Sequence, residues 1–198
     1  MKSLFLALVL TAAAWTCAAA ETPAEASGFH PLIGLGGTFG GTTIGTVLFT
    51  NGSTCNIHAG GLIDVYGGVE YRYEPKVAVQ ATVGYHVDRC NASNGDLRFE
   101  RYPIELLAYY GLSPRFRAGG GVRFVQDPHI SGSGIGGGAD VKFNSTTGGV
   151  IEGEYLLPRS GWVQVGFKLR YVFEHYQLEG GGPSATGNHV GIFGAVYF

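Results

Sequence analysis

The chain is poor in charge, with 13 basic and 15 acidic residues among 198 and a formal net charge of −2. That balance excludes the basic footprint of a nucleic-acid binder, so no nucleic acid is expected as a partner. Cysteine is scarce, at three residues, and Cys17 lies near the N-terminus, apart from Cys55 and Cys90. Two distant cysteines cannot assemble a zinc-type ligand set. His30, His58, His129 and His189 are scattered and show no metal-ligand spacing, so no metal and no cofactor are expected. Residues 132–138 are glycine-rich but lack the lysine of a phosphate-binding loop. Long hydrophobic runs are missing beyond the first 20 residues, and a spanning helix needs roughly 20 apolar residues. If this chain meets a bilayer, a closed β-barrel is the remaining route, because every backbone polar group must then pair internally.

The first residues read as an address. Lys2 is followed by an uncharged apolar run at 4–14 and by Ala18-Ala19-Ala20, the pattern of a secretory signal peptide cleaved after Ala20. Ala14-Trp15-Thr16 before Cys17 matches a lipoprotein signal poorly. Residues 21–28 read as a short periplasmic lead and 29–198 as one domain. Without Lys2 the count becomes 12 basic against 15 acidic residues. Secretion carries Cys55 and Cys90 into an oxidising compartment. A disulfide tying two surface loops is therefore expected, the alternative being two unpaired thiols. Asn51, Asn91 and Asn144 begin matches to the three-residue glycosylation pattern, which is short enough to recur by chance.

The clearest pattern is at the end of the chain. Val163, Val165, Phe167, Leu169, Tyr171 and Phe173 alternate with Gln164, Gly166, Lys168, Arg170, Val172 and Glu174. A strand sends alternate side chains to opposite faces, so one face seeks hydrocarbon and the other charge partners. After a glycine-rich break at 179–187, Val190, Ile192, Gly194, Val196 and Phe198 form a second apolar face. A last strand ending in Phe198, with Tyr197 beside it, resembles the assembly signal of bacterial outer-membrane barrels. The segments Gly166-Phe167-Lys168-Leu169-Arg170-Tyr171 and Gly187-Asn188-His189-Val190-Gly191 resemble the closing hairpin of small barrels of the OmpA transmembrane-domain and OmpX/Ail type. The resemblance implies an all-β, eight-stranded antiparallel up-and-down transmembrane barrel. It also implies Tyr197 and Phe198 as the assembly signal, and barrel-assembly machinery and periplasmic chaperones as partners during biogenesis. Outer-membrane lipid and lipopolysaccharide would surround the wall, with both termini periplasmic.

Eight strand candidates fit that reading: 31–40, 63–73, 77–87, 97–110, 116–125, 141–157, 163–174 and 188–198. The intervening stretches 42–59, 88–96, 127–140 and 179–187 read as long outer loops, with 44–49 either extending the first strand or capping its loop, and 74–76, 113–114 and 158–161 read as short turns. Long and short connections alternate, as in outer-membrane barrels. In the fourth candidate Arg98 and Glu100 share the outward parity, which predicts either an end above the hydrocarbon or a bulge near Pro103. The inward parity collects Asp64, Glu70, Glu105, Glu152, Glu154 and Glu174 with Arg72, Arg117, Arg123, Lys168 and Arg170. Eight strands enclose just enough room for side chains, so these charges predict a packed ion-pair network, with inward glycines making room for the Arg and Lys stems. Tyr71, Tyr73, Tyr85, Tyr110, Phe116, Tyr155 and Phe198 suit interfacial girdles. A soluble lipocalin-like barrel would invert the polarity, with the apolar face inside.

Three functions compete. The first is a structural or surface-interaction barrel with no open pore, contacting an unknown extracellular ligand through its loops. The second is a small transporter of hydrophobic compounds, which the inward charge disfavours. The third is a lipid A deacylase, in which a His, a Ser two residues later and a downstream Glu form a triad. Here His175 is followed by Gln177 at the Ser position, while Ser184 and Glu179 lie nearby. A serine nucleophile needs its base within hydrogen-bond reach, and the spacing does not require that here, so no catalytic residue is assigned.

Overall fold

The computed structural model describes residues 27–48, 52–92, 95–134 and 138–198. The expected signal peptide, and the lead up to residue 26, lie outside the described residues. Among the described residues there is no helix, and the strands are β1 (Gly28–Gly40), β2 (Thr43–Leu48), β3 (Thr54–His58), β4 (Leu62–Glu74), β5 (Val77–Ala92), β6 (Gly95–Gly111) and β7 (Phe116–Gly134). They continue with β8 (Asp140–Lys142), β9 (Thr146–Leu156), β10 (Gln164–Phe173), β11 (His175–Gln177), β12 (Ser184–Thr186) and β13 (His189–Tyr197).

Eight of these close a ring in the order β6-β5-β4-β1-β13-β10-β9-β7, and β7 returns to β6. Every barrel pairing is antiparallel. The chain's last strand meets its first from Leu32↔Tyr197 to Gly40↔His189. Phe198 N then donates to Pro31 O at 2.9 Å. Closure leaves no sheet edge around the wall.

Polarity decides which solvent surrounds the wall. Leu169 is 59% exposed while Lys168 beside it is 2% exposed. The same inversion runs around the ring, with Ile33, Leu35, Val65, Leu106, Ile151 and Ile192 outward and Glu70, Glu105, Arg123 and Glu154 buried inside. A lipocalin-like barrel would show the reverse. This wall is built for hydrocarbon.

The sequence reading ends several strands too early. The stretch 42–59 is largely the β2–β3 hairpin, 88–96 carries β5 on to Ala92 and restarts β6 at Gly95, and 127–140 holds the end of β7 and the start of β8. The sixth candidate, 141–157, divides into β8 and β9. The bulge lies in β7, between Gln126 and His129, where the pairing passes from Glu100↔His129 to Tyr102↔Gln126. Pro103 stays in register opposite Val125. One physical cause accounts for the early endings. Where the strands rise beyond the apolar band, Arg89, Arg98, Gln126 and Ser133 turn outward, while Cys90, Leu97, Phe99, Val125 and Ile130 turn inward and are buried. Inside-out becomes outside-in, and residues that read as a polar loop are strands bathed in water.

The inward glycines also differ from expectation. The nearest neighbours a Cβ would meet are not Arg or Lys stems: Gly68 and Gly121 face the backbone of the adjoining strand, Gly84 faces Pro103, and others face aromatic rings or a carboxylate. A Cβ on Gly119 would meet the Tyr109 ring, one on Gly34 the Tyr66 ring, and one on Gly166 the Glu154 carboxylate.

Candidate functional site

The inward face forms three tiers of charge beneath an apolar cap. In the tier nearest the short turns, Arg117 binds both oxygens of Glu70 at 2.9 and 2.6 Å and donates through Nε to Glu154 at 2.8 Å. This forked geometry is the strong form of a guanidinium–carboxylate pair. Arg72 donates to Glu70 at 2.7 Å and to Gln164 at 2.9 Å. Tyr197 points inward, and its hydroxyl donates to Glu154 at 2.6 Å. Phe198 takes the outward parity, with its ring stacked on Trp162 at 5.4 Å.

In the middle tier Lys168 Nζ lies 2.9 Å from Glu152 and also donates to Gln80 and to the Tyr109 hydroxyl. The β9–β10 register sets Lys168 opposite Glu154 and Arg170 opposite Glu152. Arg170 bridges two strands, reaching Glu152 at 2.6 Å and Glu105 at 3.0 Å, with its carbon stacked 4.6 Å over the Phe193 ring.

In the upper tier Arg123 is fully buried and meets Glu105 at 2.5 Å, Glu174 at 3.2 Å and Asp64 at 3.3 Å. Its Nη2 lies 3.0 Å from His86 Nδ1. A guanidinium can only donate, which assigns the ring proton to Nε2, where it reaches Thr38 Oγ1 at 2.8 Å. Above this, Arg101 donates to the carbonyls of Ala59 and Gly61, and Asp88 accepts from His58 N at 2.7 Å.

The cap follows. Ile57, Ala59, Cys90, Leu97, Phe99, Val125, Ile130, Tyr176 and Ala185 form one buried cluster. Phe99 and Tyr176 meet edge to face, with ring centroids 5.6 Å apart. Tyr176 keeps its hydroxyl satisfied on Glu174 at 2.7 Å, and burial pushes that phenol's pKa up. Cys55 on β3 is bonded to Cys90 on β5, closing a sequence separation of 35 residues and pinning the β2–β3 hairpin over the cap. Asp96, half-buried at the rim beside the long connections, is held below the usual carboxylate range chiefly by the Ser133 hydroxyl.

Sequence reasoning missed Arg101, Thr38 and His189 as inward residues, and the cap entirely. Arg101 shares the parity of Glu105, so the signal was present; Pro103 between them obscured it. Among the described residues no hydrogen bond joins His175, Ser184 and Glu179. His175 pairs with Thr186 across the β11–β12 hairpin, and Gln177 pairs with Ser184.

The Ail protein of Yersinia pestis, solved with the heparin analogue sucrose octasulfate, aligns with a TM-score of 0.53 at 12% identity, covering 87% of this chain and 99% of that one. This chain has the fold of a small outer-membrane β-barrel. Neisserial surface protein A aligns with a TM-score of 0.48 at 11% identity, covering 87% of this chain and 97% of its own. OprG of Pseudomonas aeruginosa, an outer membrane protein, aligns at 0.40 and 13%, covering 85% and 95%. No family model matches the sequence of this barrel, and no curated protein matches it.

Proposed function

We propose that this barrel sits in the bacterial outer membrane with both termini periplasmic, conducts nothing, and serves as a rigid stand for the surface at its outer end. The observation that carries the reading is the filled cross-section: paired charges through three tiers, then an apolar cap held by the Cys55–Cys90 bridge. The ion-pair residues Glu70, Arg72, Glu105, Arg117, Arg123, Glu152, Glu154, Lys168 and Arg170 hold the strands in register rather than bind cargo. A transporter of hydrophobic compounds needs an apolar lumen or a gap in the wall, and this lumen is charged. A hydrolase needs a serine hydrogen-bonded to its base, and among the described residues no hydrogen bond joins Ser184 to His175. Lipid and lipopolysaccharide surround the apolar wall. Tyr197 and Phe198 would be read by the assembly machinery, with chaperones escorting the chain across the periplasm.

Lysine labelling tests the orientation. Lys142 lies on the side of the long connections and Lys76 in a short turn, both exposed, while Lys168 is buried. A membrane-impermeant amine reagent on intact cells should modify Lys142 and leave Lys76 unmodified until the outer membrane is permeabilised. Modification of Lys76 alone would reverse the orientation and overturn the reading.

A further inference from the structure

A cleft of about 650 Å³ opens on the outside of the wall, away from the lumen, lined by Tyr102, Asp127, His129, Lys142, Asn144 and Glu179 among others. Tyr102 pairs with Gln126, two positions beyond Ile104↔Phe124. Ile104 and Phe124 are exposed apolar residues of the membrane-facing band, so the cleft begins where that band ends. The volume falls in the range of small-molecule sites, roughly 300–1,000 Å³.

The cleft is built by the β7 bulge. Asp127 there has a φ of 43°, and it is the one non-glycine residue with positive φ among the described residues. Aspartate in the left-handed region marks a backbone held by its surroundings, a condition that concentrates at functional sites. His129 Nδ1 lies 3.2 Å from Asp127 O, and its other nitrogen lies 3.5 Å from Glu100. Tyr102 is steadied by the Tyr85 ring at 5.6 Å and remains 44% exposed. The opposite side is anchored by backbone bonds from Asn144 N to Gln177 O and from Glu179 N to Lys142 O, at 2.9 and 3.0 Å. Asp127, Lys142 and Glu179 face solvent.

The chemistry of this lining selects a ligand class. An aromatic face, two carboxylates, an amide, an ammonium and an imidazole carry little net charge, which disfavours a polyanion. A wholly apolar compound would strand these polar groups without partners. A sugar ring has a C–H face that stacks on an aromatic ring, and hydroxyls that both donate and accept. We propose that this cleft binds a pyranose ring, stacked on Tyr102 and hydrogen-bonded by Asp127, Asn144 and Glu179. The sugar belongs either to the headgroup of a glycolipid in the same leaflet or to a glycan from the medium. The proposal rests on this end of the barrel facing outward. Its test uses purified folded protein, so it can fail independently of the labelling result.

In the first arm, saturation-transfer NMR is run on the barrel in detergent with methyl hexosides, N-acetylhexosamines and their short oligomers. In the second, amide shifts of His129 and Asn144 are compared between phospholipid nanodiscs with and without lipopolysaccharide. Asp127→Gly removes the carboxylate while suiting the positive φ, and Tyr102→Ala removes the platform; heat-modifiable mobility verifies that both fold. Binding in either arm that weakens about tenfold or more in both variants, and is unchanged in Arg89→Ala, supports the site. Signal in the first arm identifies a free glycan, and signal confined to the second identifies a glycolipid headgroup. Absence of binding in both arms, or binding equal in wild type and variants, overturns the proposal.

Discussion

Arg170→Ala tests the lumen at its most connected point. The guanidinium donates to Glu152 through Nε at 2.8 Å and approaches it through Nη2 at 2.6 Å, and it donates through Nη1 to both oxygens of Glu105, at 3.0 and 3.1 Å. Hydrogen bonds to charged groups contribute about 1.5–3 kcal/mol each, and removing one member of a buried pair costs about 3–5 kcal/mol because its partner is left uncompensated. Here neither carboxylate is abandoned. Glu152 keeps Lys168 at 2.9 Å and Glu105 keeps Arg123 at 2.5 Å. The loss should therefore fall near the lower end, about 3 kcal/mol. Arg89→Ala is the matched control, since its 3.5 Å pair with Asp96 lies outside the lumen with side chains 50% and 26% exposed. Exposed pairs contribute about 0–1 kcal/mol. Reversible urea unfolding in phospholipid vesicles, followed by Trp162 fluorescence, reads both variants. An Arg170→Ala loss of under about 1 kcal/mol, or an Arg89→Ala loss as large as that of Arg170→Ala, would refute the claim that lumen charges hold the strands together.

Three further outcomes follow from the same geometry. Deleting Phe198 removes its backbone bond to Pro31 and its stack on Trp162, so the heat-modifiable folded fraction in outer membranes should fall; an unchanged yield counts against its role in assembly. Replacing Cys55 and Cys90 together with alanine should cost about 3–4 kcal/mol and expose the β2–β3 hairpin to protease, while mass spectrometry of non-reduced wild-type peptides should recover the Cys55–Cys90 linkage. Phe99→Ala hollows the cap and should cost about 3–5 kcal/mol in the same urea assay; a neutral result would mean the cap is not a packed core.

The barrel was legible in the sequence because its wall obeys one rule from β4 to β13. At Leu169 and Lys168 the alternation separates the two faces, and the exposure of Leu169 shows which one is outward. The charged inward set was legible for the same reason, but its partners were not, because register sets them: Arg117 reaches Glu70 across the lumen, 47 residues away in sequence. The outer end was read as loops because the alternation there has two polar or apolar readings and depends on which solvent surrounds the strand. Phe99 and Ile130 are inward by the same parity that makes Glu105 and Arg123 inward, once the bulge at Asp127 shifts β7 by one residue. A one-residue shift moves every later side chain to the other face, and Asp127-Pro128 resembles an ordinary turn signal. The cleft beside Tyr102 depends on that shift and could not be anticipated.

The central claim is that the lumen is filled, and the most direct test is electrical. A lumen filled by the paired charges and the apolar cap predicts that purified wild-type barrel in planar bilayers shows no steady single-channel conductance. A stable, large single-channel current would contradict the filled lumen and place transport ahead of the structural role.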